Sequence, residues 1–223
     1  MKKNYSYIGI SFIILLFGIY VVPKVVKKFQ KSDLSFFYVD EAKTIKRSVP
    51  DFEFTNHNGN RITNKNFEGK VYVVEFFFTT CPSICPIMNR KMIAIQNEFY
   101  GNPNFGIASF SINPDIDSPI ILNQYRKDHN ITSKNWQMLT GKSQEYVYNL
   151  SNKGFKLYAG NGDTDHGGFE HSGLFALIDK EGNIRSRKDE HGNPIMYYRA
   201  LEESGFPDQI KELKEDIETL LNE

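Results

Sequence analysis

Val71-Tyr72-Val73-Val74-Glu75-Phe76-Phe77-Phe78 runs directly into Thr79-Thr80-Cys81-Pro82-Ser83-Ile84-Cys85-Pro86. Eight residues of β-branched and aromatic character, almost without a break, predict a strand buried on both faces of a sheet. Beyond the cysteines, Met88, Met92, Ile95 and Phe99 recur at helical spacing, so a helix follows the strand. Open α/β sheets place ligands beyond the carboxyl ends of their strands, and that is where the two cysteines fall.

Working outward, Phe105–Ile112 reads as a second buried strand, and Ser118-Pro119 as an N-cap followed by proline at the first helical position. That helix runs towards His129. Trp136–Leu139 is a short strand and Ser143–Leu150 a short helix. Leu174–Ile178 is a strand, 179–183 a turn and Ile184–Ser186 the returning strand. Ile210, Leu213, Ile217, Leu220 and Leu221 share one face of a C-terminal helix. Upstream, Pro50–Phe54 alternates like an edge strand, and Asn58-Gly59-Asn60 is a turn. The order predicts an α/β fold with a mixed central sheet flanked by helices.

The chain's two cysteines are four residues apart. They share one face of a helical turn if the helix has begun by Cys81. A helix N-terminus there lowers thiol pKa and favours thiolate. Three readings fit the pair: a structural disulfide closing a very short loop, a redox dithiol, or a soft-metal site. The usual redox motif has two residues between its cysteines and this one has three. Spacing alone does not choose between dithiol and metal.

Composition sets the frame around this centre. With 223 residues, 40% of them apolar, the chain supports one ordinary domain plus extras, and is neither disordered nor fibrous. Its 27 basic and 27 acidic residues cancel, but residues 1–31 hold six lysines and no acid. The remaining 192 residues therefore carry 21 basic against 27 acidic groups, a net of −6. A body that acidic is a poor nucleic-acid binder. Tyr5–Val22 is an uncharged run of 18 residues between lysines, roughly 27 Å as a helix. No small-residue cleavage site follows it, so an uncleaved transmembrane helix is expected rather than a signal peptide. Residues 1–31 are then the anchor, 32–47 a tether and 48–223 the folded domain. Four lysines after the run and two before it favour a cytoplasmic body by count. The short basic N-terminal tail and the chemistry of the cysteine pair favour the opposite side, and that placement is adopted.

Four stretches, in order, resemble the Sco/SenC copper proteins. They are Gly69-Lys70 with Phe78–Pro86, Ser111-Ile112-Asn113-Pro114-Asp115-Ile116-Asp117-Ser118-Pro119, Trp136–Gly141, and Glu170–Asp179. The resemblance spans about residues 50–187. It implies a thioredoxin-like fold and a role in assembling the copper site of cytochrome c oxidase. Carried over residue by residue, it assigns Cys81, Cys85 and His171 as ligands of one copper per chain, Cu(I) with Cu(II) as a second candidate state. The family pattern has Asp where this chain has Asn113 and Glu170. Neither change removes a ligand.

Other residues have plainer readings. His166, in a glycine-flanked loop, is a solvated residue or a contact in a second copper state. His57, His129 and His191 read as surface residues, and Met88 and Met92 as core. Asp117 either orients the site or stabilises a helix N-terminus. Zinc is disfavoured because its structural sites use four ligands.

The implied function is a metallochaperone in the inner membrane, single-pass, with its domain on the periplasmic side, delivering copper to the binuclear site of cytochrome c oxidase subunit II. Another copper chaperone or a thiol reductant is a further candidate partner. The alternative is a thiol–disulfide oxidoreductase that uses the same pair to reduce the subunit's cysteines. Oxidoreductases of that fold carry a cis-proline opposite the cysteines, where this chain has Glu170-His171-Ser172. A peroxidase would use a lone cysteine and leave the second unexplained.

Overall fold

A computed structural model describes residues 6–29, 33–163, 168–202 and 205–223. The chain divides into a unit comprising residues 1–33 with 222–223, and a second of residues 34–221. In the first, helix α1 (Ser6–Phe29) carries exposed apolar side chains from Ile10 to Val22. The helix forms where the apolar run predicts one and continues past it through Pro23. Among the described residues no helix is long and apolar enough to cross a membrane, and Tyr5, where the expected span begins, lies outside them.

The second unit opens with β1 (Ser35–Phe36), β2 (Glu53–Asn56) and β3 (Arg61–Thr63). The predicted turn between β2 and β3 holds Gly59 at a φ of +80°, a conformation glycine adopts without steric cost. The βαβ run follows: β4 (Val71–Phe77), α2 (Cys85–Glu98), β5 (Phe105–Ser111), α3 (Pro119–Asp128) and β6 (Trp136–Thr140). Helix α4 (Gln144–Tyr148), capped by Ser143, passes into a π-helical turn over Asn149–Phe155. A separate hairpin, β7 (Ala159–Asn161) and β8 (Phe169–His171), precedes β9 (Leu174–Ile178), β10 (Ile184–Ser186), β11 (Tyr198–Arg199) and α5 (Ile210–Asn222).

Among the described residues nine strands form one mixed sheet in the order β1-β10-β9-β4-β5-β6-β2-β3, with β11 paired to β9. Strands β4, β5 and β6 are parallel, while β9 and β2 pair antiparallel at either side of them. All seven residues of β4 and of β5 are buried, as the continuous apolar runs predict. Successive side chains serve opposite faces. Phe76 packs on Phe110 and Phe155 of one layer, and Phe77 meets Tyr125 of α3 in the other.

Three differences from the sequence reading stand out. Strand β2 is not an edge, because β3 pairs with its outer side and takes that position. The alternation of Phe52 and Phe54 reflects a one-sided core contact with Phe110, which a strand inside the sheet also shows. Residues 34–47, read as a tether, supply β1 and a backbone bond from Ile184 N–H to the Arg47 carbonyl. The helix expected to end at Leu150 instead widens into the π-helical turn, which buries Leu150, Ser151 and Phe155.

Candidate metal centre

Cys81 sits in the turn after Phe78, and α2 begins only at Cys85. Proline is tolerated in the first helical turn, which accommodates Pro86, while Cys81 and Pro82 lie ahead of the helix. The two cysteines are therefore not stacked on one helical turn. Instead the helix N-terminus points at the first of them: Cys85 N–H donates to Cys81 Sγ at 3.4 Å, where a capping oxygen ordinarily sits.

His171 arrives from the end of β8. Its Nε2 lies 3.0 Å from Cys85 Sγ, and its Nδ1 lies 3.2 Å from the Ser172 carbonyl. A carbonyl can only accept, so Nδ1 is the donor in that contact, and Nε2 is the ring nitrogen that faces the thiols. The Phe78 ring meets the imidazole edge-on with centroids 5.9 Å apart. Cys81, Cys85 and His171 are all buried, and their ligand atoms lie within 4.8 Å of one another. Both cysteines are free thiols.

The two thiols differ in character. The Cys85 thiol donates towards Cys81, and this, with the imidazole and the first N–H groups of the helix, pulls Cys81 well below the ordinary thiol range against the effect of burial. Burial, followed by the neighbouring Cys81 sulfur, pushes Cys85 well above it. Of the two, Cys81 is thus the thiol that ionises more readily.

Asp117 is fully buried and turned away from α3, whose N-cap is Ser118 accepting from Ile121 N–H. Its carboxylate accepts from the Thr79 amide at 3.1 Å, from the Thr79 hydroxyl and from the Ser111 hydroxyl. Asn113, where the family pattern has an acid, is 3% exposed with its Nδ2 unpartnered.

Met88 and Met92 are buried core residues, as expected, and His191 is exposed. His129 stacks on Tyr125 at 3.9 Å. His166 lies outside the described residues. His57 corrects the sequence reading: it is 4% exposed, packed under α3 against Arg126, because the β2–β3 turn folds inward there. Burial and the Arg126 charge hold its pKa down at about 4. Two groups were not singled out from sequence, the Thr79 and Ser111 hydroxyls on Asp117 and the buried Glu75. Glu75 had a signal, being the lone acid inside an apolar strand.

The donor set suits a soft cation. Two sulfurs and an imidazole converge, with no carboxylate among them, which fits copper better than magnesium or calcium. The fold and the site thus define a thioredoxin-like α/β protein with a dithiol–imidazole centre. The SCO1/SenC family model matches residues 40–204, and the chain belongs to that family. The SCO1 protein homolog of Bacillus subtilis is 28% identical over 167 residues, 74% of this chain and 81% of its own. BsSco, described as a member of the Sco family of cytochrome c oxidase assembly proteins and solved for a disulfide switch, is 25% identical with a TM-score of 0.64 over 78% of this chain and 92% of its own. Bradyrhizobium japonicum ScoI with copper bound has the same fold, at 19% identity and a TM-score of 0.60 over 78% and 99% of the two chains.

Proposed function

We propose that the protein carries copper between Cys81, Cys85 and His171, one ion per chain, and hands it to the binuclear copper site of cytochrome c oxidase subunit II. The observation that carries this reading is the convergence of three buried ligand atoms within 4.8 Å, two sulfurs and the histidine nitrogen that faces them. Copper is cargo here. The thiols supply charge and softness for Cu(I), and the imidazole adds a nitrogen that Cu(II) prefers. Loading displaces the Cys85 proton, so uptake is linked to proton release. The exposed apolar face of α1 supports a membrane-held protein, and the thiol chemistry supports a domain outside the cytoplasm, single-pass in the inner membrane. A second reading, thiol–disulfide oxidoreductase, is favoured by the lowered pKa of Cys81, which makes it a fit attacking thiolate.

Variants of the full chain in detergent separate the two. His171→Ala is expected to weaken Cu(I) binding partly and Cu(II) binding much further, and to block oxidase assembly in cells. The Cys81→Ser, Cys85→Ser double variant is expected to lose both ions. A His171→Ala protein that keeps its Cu(II) affinity and supports normal oxidase activity would defeat the copper reading and leave the reductase.

A further inference from the structure

Asp117 is costly to place where it is. A carboxylate with no exposed surface loses its hydration, and burial raises its pKa above the ordinary carboxylate range. Among the described residues its hydrogen-bond partners are three neutral donors, and no cation pairs with it. Those donors are not scattered. Two belong to Thr79, two residues before Cys81, and the third to Ser111 at the end of β5. The Ser111 hydroxyl oxygen accepts from Asn113 N–H at 3.1 Å, which leaves its own proton for Asp117. Asp117 N–H in turn donates to the Asn113 carbonyl at 2.9 Å, fixing the loop that presents the carboxylate.

The plain alternative, an acid soothing the N-terminus of α3, is not what the side chain does. Ser118 caps that helix, and Asp117 faces the other way. The loop carrying Cys81 has few other ties: the Cys81 N–H bond to Phe78 O at 3.3 Å and the contacts of the sulfur itself.

We propose that Asp117 is a positioning residue for Cys81, a clamp that ties the Thr79–Cys81 turn to the end of β5 and holds the first thiol at chelating distance from Cys85 and His171. The clamp rests on the copper-site reading for its purpose, though not for its geometry. It favours two separate thiols over a disulfide, because joining the sulfurs requires the turn to move, with two electrons and two protons passing to the oxidant.

The test uses full-length reduced protein in detergent. Cu(I) affinity is measured by competition with a chromophoric chelator, and the dithiol–disulfide equilibrium against a glutathione redox buffer. Asp117→Asn keeps the shape but turns one acceptor oxygen into a donor. It is expected to lose about tenfold or more in Cu(I) affinity. Its dithiol–disulfide equilibrium is expected to move about tenfold towards disulfide, which is about 30 mV. Thr79→Val, which removes one donor and spares the carboxylate, is expected to move both quantities in the same direction by less. Thr79→Ser keeps both donors and is expected to match the parent. If Asp117→Asn does not fold, Thr79→Val decides. A folded variant with lowered thermal stability but both quantities unchanged makes Asp117 merely structural and overturns the proposal. A parent chain that binds no Cu(I) refutes the copper reading instead, and the redox equilibrium alone then judges the clamp.

Discussion

Each cysteine is followed by a proline, yet the two side chains sit in different places. Cys81 lies in the turn ahead of the helix, where its sulfur receives a helix N–H, while Cys85 is the first helical residue and is buried to 3% exposure. Limiting iodoacetamide on the reduced chain at pH 7 is therefore expected to alkylate Cys81 first, with Cys85 protected until the protein unfolds. Peptide mass mapping reads the outcome, and equal labelling would contradict the assigned difference. The convergence of Cys81, Cys85 and His171 was legible in sequence because cysteine and histidine are scarce and their motifs arrive in a recognisable order. Thr79 and Ser111 were not, since a hydroxyl's partner depends on how two loops meet at the top of the sheet. His57 was misplaced for a related reason: turn residues flank it, and only the packing of α3 shows that the turn faces inward.

At the scale of elements, β4 carries a group its strand would be expected to exclude. Glu75 is buried and accepts from Ser109 Oγ at 2.6 Å, which itself accepts from Trp136 Nε1 at 2.8 Å. Burial, opposed by the Ser109 bond, pushes its pKa from 4.5 up to about 7. The folded chain thus holds this proton more tightly than the unfolded chain does. Stability from this group is present below pH 4.5 and lost as pH rises to about 7, a change of about 3 kcal/mol. His57 has the opposite sign: its folded pKa is about 4 against 6.5, so its contribution is lost as pH falls through that window. The two slopes oppose each other between about pH 4.5 and 6.5. Glu75→Gln is expected to be more stable than the parent above pH 7, to match it near pH 4, and to expose a steeper acid loss between. Urea midpoints across pH measure this, and parallel profiles for the two proteins would refute it. The strand itself was legible as a buried run of one residue class. The pairing of β3 outside β2 was not, because alternation reports which face is buried and says nothing of what lies beside a strand.

For the whole molecule, the order of the βαβ core could be read from the sequence, whereas its boundary could not. Apolar periodicity reports elements long enough to repeat, and β1 has two residues. What fixes residues 34–47 is a set of contacts with the far end of the chain. Leu34 is 8% exposed, and its carbonyl accepts from Arg185 Nη2 at 3.0 Å. The Phe36 ring lies 3.8 Å from the Arg185 guanidinium carbon and 3.7 Å from Lys46 Nζ. Val49 N–H reaches the Gly182 carbonyl at 2.8 Å, completing a seam along β10 and the turn before it. Two truncations follow from this seam. A chain beginning at Asp33 keeps every one of these contacts and is expected to melt within a degree or two of the full-length protein. A chain beginning at Tyr38 loses Leu34, β1 and the Phe36 stacking. Burial of Leu34 alone is worth about 2 kcal/mol, so this shorter chain is expected to melt roughly 4–8 °C lower. Copper binding should survive in both, because Cys81, Cys85 and His171 lie after β4, at the start of α2 and at the end of β8, none of them in this seam. Equal melting temperatures would make residues 34–37 the passive tether that their composition suggests, and would place the start of the folding unit nearer residue 48.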